Sequence, residues 1–188
     1  MNKVSQFEIM TVECMREKSF NMQLARLAED ALRGKAEVSF LNYADIPYMN
    51  QDMEFPTPEE ILRVRDEVSK ADGIWIFTPE YNYSYPGVLK NLLDWLSRPV
   101  RKGAPRTETA IAGKKVTISG VGGKNATASV RAKLKELLQF MQADLMDEWE
   151  TGVALDGSAF GTNVLNLSEE SKASLQKQAN LFLEFMAD

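Results

Sequence analysis

Residues 73–96 read GIWIFTPEYNYSYPGVLKNLLDWL. The first five are a compact apolar run of strand length. The last ten place Leu89, Leu92, Leu93 and Leu96 at helical spacing. Between them, Pro79 and Pro86 stiffen a loop in which Tyr81, Tyr83 and Tyr85 alternate with Glu80, Asn82 and Ser84. Pro86 also suits the first turn of the helix that follows. A plain connector needs only turn residues. Tyrosines supply flat apolar faces with a polar tip, suited to packing against a planar ring. Backbone N–H groups near Tyr81 and Asn82 would meet such a ring's polar edge. The plainer alternative is that the tyrosines seal a surface or a subunit contact. It leaves the two prolines, Glu80 and Asn82 without a purpose.

The same strand–loop–helix unit recurs on both sides. FEIMTV (7–12) reads as a buried strand. A helix follows with Phe20, Leu24, Leu27, Ala28 and Ala31 on one face, Ser19 as its N-cap and Gly34 as its stop. AEVSFLN (36–42) has the β-branched and aromatic content of a second strand. A loop rich in Pro, Asn and Asp leads to a helix with Thr57 as N-cap, Pro58 in the first turn and Glu60 completing a capping box. Ile61, Val64, Val68 and Ala71 form its buried stripe. KKVTISGVGGKN (114–125) is strand then glycine-rich loop. Val130, Leu134, Leu137, Leu138 and Met141 are in phase on the next helix. A last strand falls within 144–155. Ser168 caps a final helix with Leu175, Phe182 and Met186 inward. The order βαβαβαβαβα builds a parallel sheet with helices on both faces. Right-handed crossovers leave few topologies. The expectation is an α/β, flavodoxin-like three-layer sandwich whose five parallel strands run 2-1-3-4-5. No repeat, low-complexity tract or linker interrupts it, so residues 1–188 read as a single domain.

Composition narrows the chemistry. A net charge of −5, with no basic stripe, argues against a nucleic-acid partner. No stretch approaches the ~20 apolar residues of a membrane span, and the first residues do not read as a signal peptide. One cysteine, Cys14, excludes an internal disulfide and fits a cytoplasmic setting. There is no histidine. That removes Ser-His-Asp and Cys-His catalysis as usually built, and with one cysteine it argues against zinc. The nine methionines read as core filler, not metal ligands. Hard chemistry in such a chain falls to a cofactor.

For the order 2-1-3-4-5, ligands bind where the strand order reverses, at the carboxyl ends of strands one and three. Loops 13–21, 78–87 and 119–125 converge there. In the first, ECMREKSFN, a helix N-terminus with Ser19, Asn21 and Arg16 makes an anion site. The alternative is that Ser19 only caps the helix and Arg16 is a solvated charge. In the third, SGVGGKN, Gly120, Gly122 and Gly123 let the backbone approach a ligand, in neither nucleotide fingerprint. The alternative is a flexible turn.

The segment TPEYNYSYPGVLKNLLDW strongly resembles the flavin-contacting segment of the NAD(P)H-dependent FMN reductase family, which includes azo-dye, quinone and chromate reductases. SFNMQLARLAE, IPYMNQDME and SGVGGKN followed by VRAKL extend the resemblance over nearly the whole chain. It implies non-covalently bound FMN. Arg16, Ser19 and Asn21 would hold its phosphate. Pro79, Glu80, Tyr81 and Asn82 would line its ring, and Ser119, Gly120, Gly122 and Gly123 would close the far side. NADPH or NADH would give a hydride, and a small-molecule acceptor would take the electrons: free flavin, quinone, azo compound or metal oxyanion. No catalytic side chain is implied. Arg98 and Arg101 are candidates for the NADPH phosphate only by charge and by nearness in sequence. A homodimer or homotetramer is implied too. Leu92, Leu93, Trp95 and Leu96 give the helix after the loop more than one apolar face, which marks either deep burial or a subunit interface. The rival readings are a non-enzymatic flavoprotein, as electron carrier or redox sensor, and a member that has lost flavin binding.

One departure stands out. The family's first loop usually begins Gly-Ser; this chain has Glu13 and Cys14. Cysteine is a weaker donor than serine. A unit charge ~6 Å from another unit charge interacts at about 3 kcal/mol when the effective dielectric is near 20. Glu13→Gly with Cys14→Ser is therefore expected to tighten FMN binding, by up to ~100-fold. Quenching of FMN fluorescence measures it, and unchanged affinity would clear Glu13 of any effect.

Overall fold

The structure is a computed structural model. It describes the backbone of residues 7–12 and all of residues 16–188; Glu13 and Cys14 lie outside the described residues. The elements are β1 (Phe7–Val12), α1 (Phe20–Leu32), β2 (Ala36–Phe40), α2 (Glu59–Lys70), β3 (Gly73–Phe77), α3 (Gly87–Leu96), β4 (Lys115–Gly122), α4 (Ala128–Phe140), β5 (Asp144–Leu145), β6 (Thr151–Ala154), α5 (Ala159–Thr162) and α6 (Glu169–Ala187). All strand pairs are parallel. β1 lies between β2 and β3, with Ile9 opposite Val38 and Gly73. The order is β2-β1-β3-β4-β5, with β6 also paired to β4.

The fifth place in the sheet is where expectation and structure part. One strand was expected within 144–155, and two short ones share the position. β5 pairs with Lys115 and Val116, whereas β6 pairs with the stretch from Ser119 to Gly122. The break falls where side chains are committed to helices on both faces. Glu150 accepts Arg131 at 2.7 Å and Lys135 at 3.2 Å, both on α4. Trp149 instead turns to α6, its indole N–H on Ser174 and Lys177 over its ring.

β3 shows why the opening stretch reads as it does. All five of its residues are buried. Ile74 and Ile76 face a layer built from α2, α3 and α4, with Val64, Leu92 and Leu134. Trp75 and Phe77 face α1 and α6, with Leu24, Ala28 and Phe182. A strand covered on both faces must be apolar throughout. Any ligand site is thereby kept off the faces and confined to the strand ends.

Helix signals were mostly sound. The Ser19 hydroxyl accepts the Met22 N–H at 3.2 Å, and Gly34 follows α1 with φ +77°. Ser168 caps α6 through the Ser171 N–H. Thr57 does not cap α2. Its hydroxyl donates to the Glu54 carbonyl at 2.7 Å, and Pro58 takes the cap position with no side-chain bond. Trp95 is wholly buried in its own chain and donates its indole N–H to the Pro47 carbonyl at 2.8 Å. Leu92, Leu93 and Leu96 are likewise buried, so the apolar residues of α3 singled out above pack within the chain.

On α6, Gln178 is fully buried beneath the sheet. It donates to the Thr117 hydroxyl and the Ile118 carbonyl at 2.8 and 2.9 Å. Its carbonyl oxygen accepts from the Ser119 hydroxyl and the Thr151 N–H at 2.9 and 2.7 Å. One side chain therefore joins α6, β4 and β6 with its hydrogen-bonding capacity filled. Gln178→Leu would strand these buried partners. It is expected to cost about 3 kcal/mol, lowering Tm by about 10 °C, as read from a thermal melt.

Candidate functional site

The three loops meet at the carboxyl end of β4. Two of them are tied together by Glu80. Its carboxylate accepts the Val130 N–H at 2.9 Å and the Asn125 side-chain amide at 2.6 Å. α4 needs this outside help. Its N-cap, Thr127, has φ +62° and makes no side-chain cap bond; its hydroxyl donates to the Ala126 carbonyl instead. A carboxylate at a helix N-terminus satisfies an orphan N–H and meets the positive end of the helix dipole. Glu80, expected to line a ring, turns its charge to α4 and acts as a clasp between loops.

The next residues form a two-residue hairpin. Tyr81 and Ser84 exchange backbone bonds at 2.9 and 3.0 Å, and Asn82 and Tyr83 both have positive φ, +52° and +59°. That is a type I′ turn. The hairpin divides the tyrosines: Tyr81 and Tyr83 are exposed, while Tyr85 packs on the core. It also divides the backbone donors. The Tyr81 N–H is committed to Ser84, whereas the Asn82 N–H has no acceptor among the described residues.

In the glycine-rich loop, the three glycines serve different ends. A Cβ on Gly120 would collide with the Thr127 hydroxyl and the Thr78 carbonyl, and one on Gly122 would come within 2.7 Å of the Thr127 methyl. Gly123 alone of the three faces open space. Ser119 and Gly120 do not reach the cavity. The Ser119 hydroxyl is buried, receiving the Trp75 indole N–H at 3.0 Å and donating to Gln178. Asn21 is also committed: its side chain bonds both the N–H and the carbonyl of Val121, at 2.8 and 3.2 Å. It staples α1 to β4.

What remains is an inner cavity of about 150 Å³, with Arg16, Ser19, Asn21, Pro79, Glu80, Tyr81, Gly122 and Gly123 around it. An outer depression of about 490 Å³ shares Glu80 and Gly123 and holds Asn82. Phe20, Leu155 and Phe160 complete the inner wall and were not foreseen. Phe160 sits on α5, in a loop that carried no helical signal. The Arg16 guanidinium lies 4.9 Å from the Phe20 ring and 5.9 Å from the Phe160 ring, and donates to the Asn163 side chain. The turn before α5 is held by Asp156, whose carboxylate accepts the Ser158 hydroxyl and N–H at 2.6 and 2.7 Å. Those bonds, the hydroxyl first, hold its pKa below the ordinary value. An aromatic residue amid Gly, Ser and Asn was the one sequence signal of this wall.

Arg98 and Arg101 lie elsewhere. The ten residues of α3 span about 15 Å, which carries Arg98 to the opposite end of the helix. Arg98 forks onto Glu54 at 3.0 and 2.9 Å, and Arg101 pairs with Glu108. Arg65 is buried behind that fork. Desolvation lowers its pKa, Glu54 opposes the shift and Arg98 adds to it.

Residues 14–154 match the family described as NADPH-dependent FMN reductase. The chain belongs to that family. It is 31% identical over 178 residues to a 2-hydroxy-1,4-benzoquinone reductase of Burkholderia sp, covering 94% of each chain. It is 37% identical over 142 residues to a quinone reductase of Escherichia coli (strain K12), covering 72% and 71%. Among solved structures it resembles FerB, a flavoenzyme NAD(P)H:(acceptor) oxidoreductase from Paracoccus denitrificans. TM-score is 0.83, identity 27% and coverage 97% of each chain. An archaeal flavodoxin, at 10% identity and TM-score 0.61 over 97% of this chain and all of that one, shares the fold. Membership of the FMN reductase family makes the chain an oxidoreductase with FMN as cofactor and NAD(P)H as co-substrate.

The inner cavity is too small for such a group alone, but with the outer depression that adjoins it through Glu80 and Gly123 it offers room and suitable partners. Arg16 and the capped start of α1 offer a cation and N–H groups to a phosphate. Pro79, Tyr81 and the open face at Gly123 offer a flat apolar slot. Glu80 would keep that slot at constant width. Glu80→Ala is expected to lower stability in urea by about 1–2 kcal/mol, and Glu80→Gln by less, because one acceptor oxygen survives. Faster hydrogen exchange at the Val130 amide in Glu80→Ala would locate the loss; unchanged exchange would refute the clasp.

Proposed function

We propose that this FMN reductase-family enzyme reduces a quinone-type acceptor at the expense of NADPH or NADH. The carrying observation is that Arg16, the 79–81 segment and Gly122–Gly123 wall one cavity at the strand-order reversal. FMN, when bound, supplies the two-electron hydride chemistry. The chain's own residues bind, orient and exclude water. Arg16 meets the phosphate with a charge-assisted bond, and Ser19 orders the helix start that faces it. Pro79 and Tyr81 cover the ring, and the free Asn82 N–H serves its polar edge. Phe160 and Leu155 give the inner wall apolar surface. No protein acid or base is asked for, in keeping with a chain that has no histidine.

Among acceptors, quinones are favoured over free flavin, azo compounds and metal oxyanions because the Burkholderia and Escherichia relatives are quinone reductases. The exposed aromatic faces of Tyr81, Tyr83 and Phe160 suit a planar acceptor. Residues 1–188 act in this reading as one FMN-binding domain in a cytoplasmic setting. No helix of the described residues is long and apolar enough to cross a membrane. Assembly as a homodimer or homotetramer belongs to the same reading. The exposed Tyr48, Met53 and Leu62, on the β2–α2 connection and α2, support it.

Visible spectra test this directly. FMN added to the protein should give perturbed flavin bands that bleach with NADPH or NADH under nitrogen and return with benzoquinone. Arg16→Ala should raise the FMN Kd about tenfold or more. Binding without bleaching by either nucleotide would mark a carrier or sensor. No binding at high micromolar FMN would overturn the flavoprotein reading.

A further inference from the structure

Arg98, carried away from the inner cavity by α3, lines a third cavity of about 420 Å³. It has no residue in common with the two at the strand-order reversal. α3 and α4 both start beside the ligand loops, and both end here. Arg106 and Thr107, from the connection between α3 and β4, complete the polar wall. That connection, residues 97–113, carries four basic residues against one acid, in a chain whose net charge is −5.

Two guanidinium groups serve this cavity. Arg106 is exposed and has no hydrogen-bonded or ionic partner among the described residues. Arg98 commits Nε and Nη2 to Glu54, which leaves Nη1 without an acceptor among the described residues. Glu54 does not neutralise the cluster. It is buried, and it also faces Arg65, whose buried Nε and Nη1 have no hydrogen-bond partner among the described residues. One acid therefore answers two cations behind the wall, and Arg106 adds a third at its surface. The carbonyl end of α3 would repel an anion, but it is covered. The Trp95 carbonyl accepts Arg65 at 3.1 Å, and the Asp94 carbonyl accepts the Ser97 hydroxyl at 2.8 Å.

The remaining wall is apolar. Phe140 ends α4 with 85% of its surface exposed, beside Pro99 and Met141. The volume is that of a small-molecule site. A guanidinium fork matches a carboxylate in two parallel bonds, and an open ring face matches another ring. We propose that this cavity binds a small aromatic carboxylate, with its anionic end on Arg106 and Arg98 and its ring on Phe140.

Calorimetric titration of the FMN-saturated protein with 2-naphthoate tests the site. Binding should leave the visible flavin bands unmoved. Arg106→Glu should raise the Kd about tenfold or more, because attraction becomes repulsion. Phe140→Ser should raise it about threefold to tenfold. 2-Naphthol, which lacks the carboxylate, should bind about tenfold more weakly or worse. Both substituted side chains are exposed, so Tm should not move and any loss is a loss of binding. The same dependence on Arg106 is expected without FMN, so failure of the flavin reading leaves this test intact. No binding at millimolar 2-naphthoate would overturn the proposal, as would a Kd unaltered in Arg106→Glu. Binding that shifts the flavin bands and ignores both substitutions would place the ligand against the flavin and overturn it too.

Discussion

The carboxyl end of β4 is gripped by three side chains from three other elements, and the site depends on that grip. Gln178 holds it from α6, beneath the sheet. Asn21 holds Val121 from α1. Glu80, from the β3–α3 loop, holds the helix that leaves β4. All of these bonds go to buried or partly buried partners, where an unmade hydrogen bond costs more than a made one contributes. Each is therefore a constraint on geometry more than a source of stability. Together they hold the three ligand loops at fixed separation before any ligand arrives.

That grip forces the glycines. Thr127 is fully buried between the β4 end and α4. Its hydroxyl and methyl groups occupy the room that a Cβ at Gly120 or Gly122 would need. Because α4 starts from a left-handed residue with no cap of its own, it needs an acceptor from elsewhere, and Glu80 is that acceptor. The packing that brings the loop close to the strand thus also demands the acid in the neighbouring loop.

Much of this was legible in the residues. The β3–loop–α3 stretch carries its own strand, turn chemistry and helix, so its fold and its place on the cavity wall could be read locally. The strand order followed from alternation and handedness. What escaped was long-range. Nothing near Glu80 says that its partners lie 45 and 50 positions on, at Asn125 and Val130. Asn21 looks like a phosphate donor until Val121, 100 residues away, takes both ends of its amide. Arg98 is close to the loop in sequence, but a helix carries it away. The Phe160 wall arose from a loop whose short helix has too few residues for a periodic signal. Even the split fifth strand was set by where Trp149 and Glu150 find partners, not by their strand propensity.

Residues within the grip and residues outside it answer to different physics. Glu80, Asn21, Ser119 and Gly120 have their polar or steric demands met inside the protein, and substitutions there act first on folding. Arg16, Tyr81, Asn82 and Tyr83 are exposed. Of these, Tyr83 carries backbone strain that a glycine would relieve. In the proposed reading, a chain without histidine whose reaction calls for no protein acid or base has little chemistry to protect in its core. On that reading its selectivity for nucleotide and acceptor would belong to the exposed set, where side chains can change without disturbing β4. Such a division would let the choice of acceptor change while β4 stays fixed, because choice of partner and integrity of the fold would rest on separate residues.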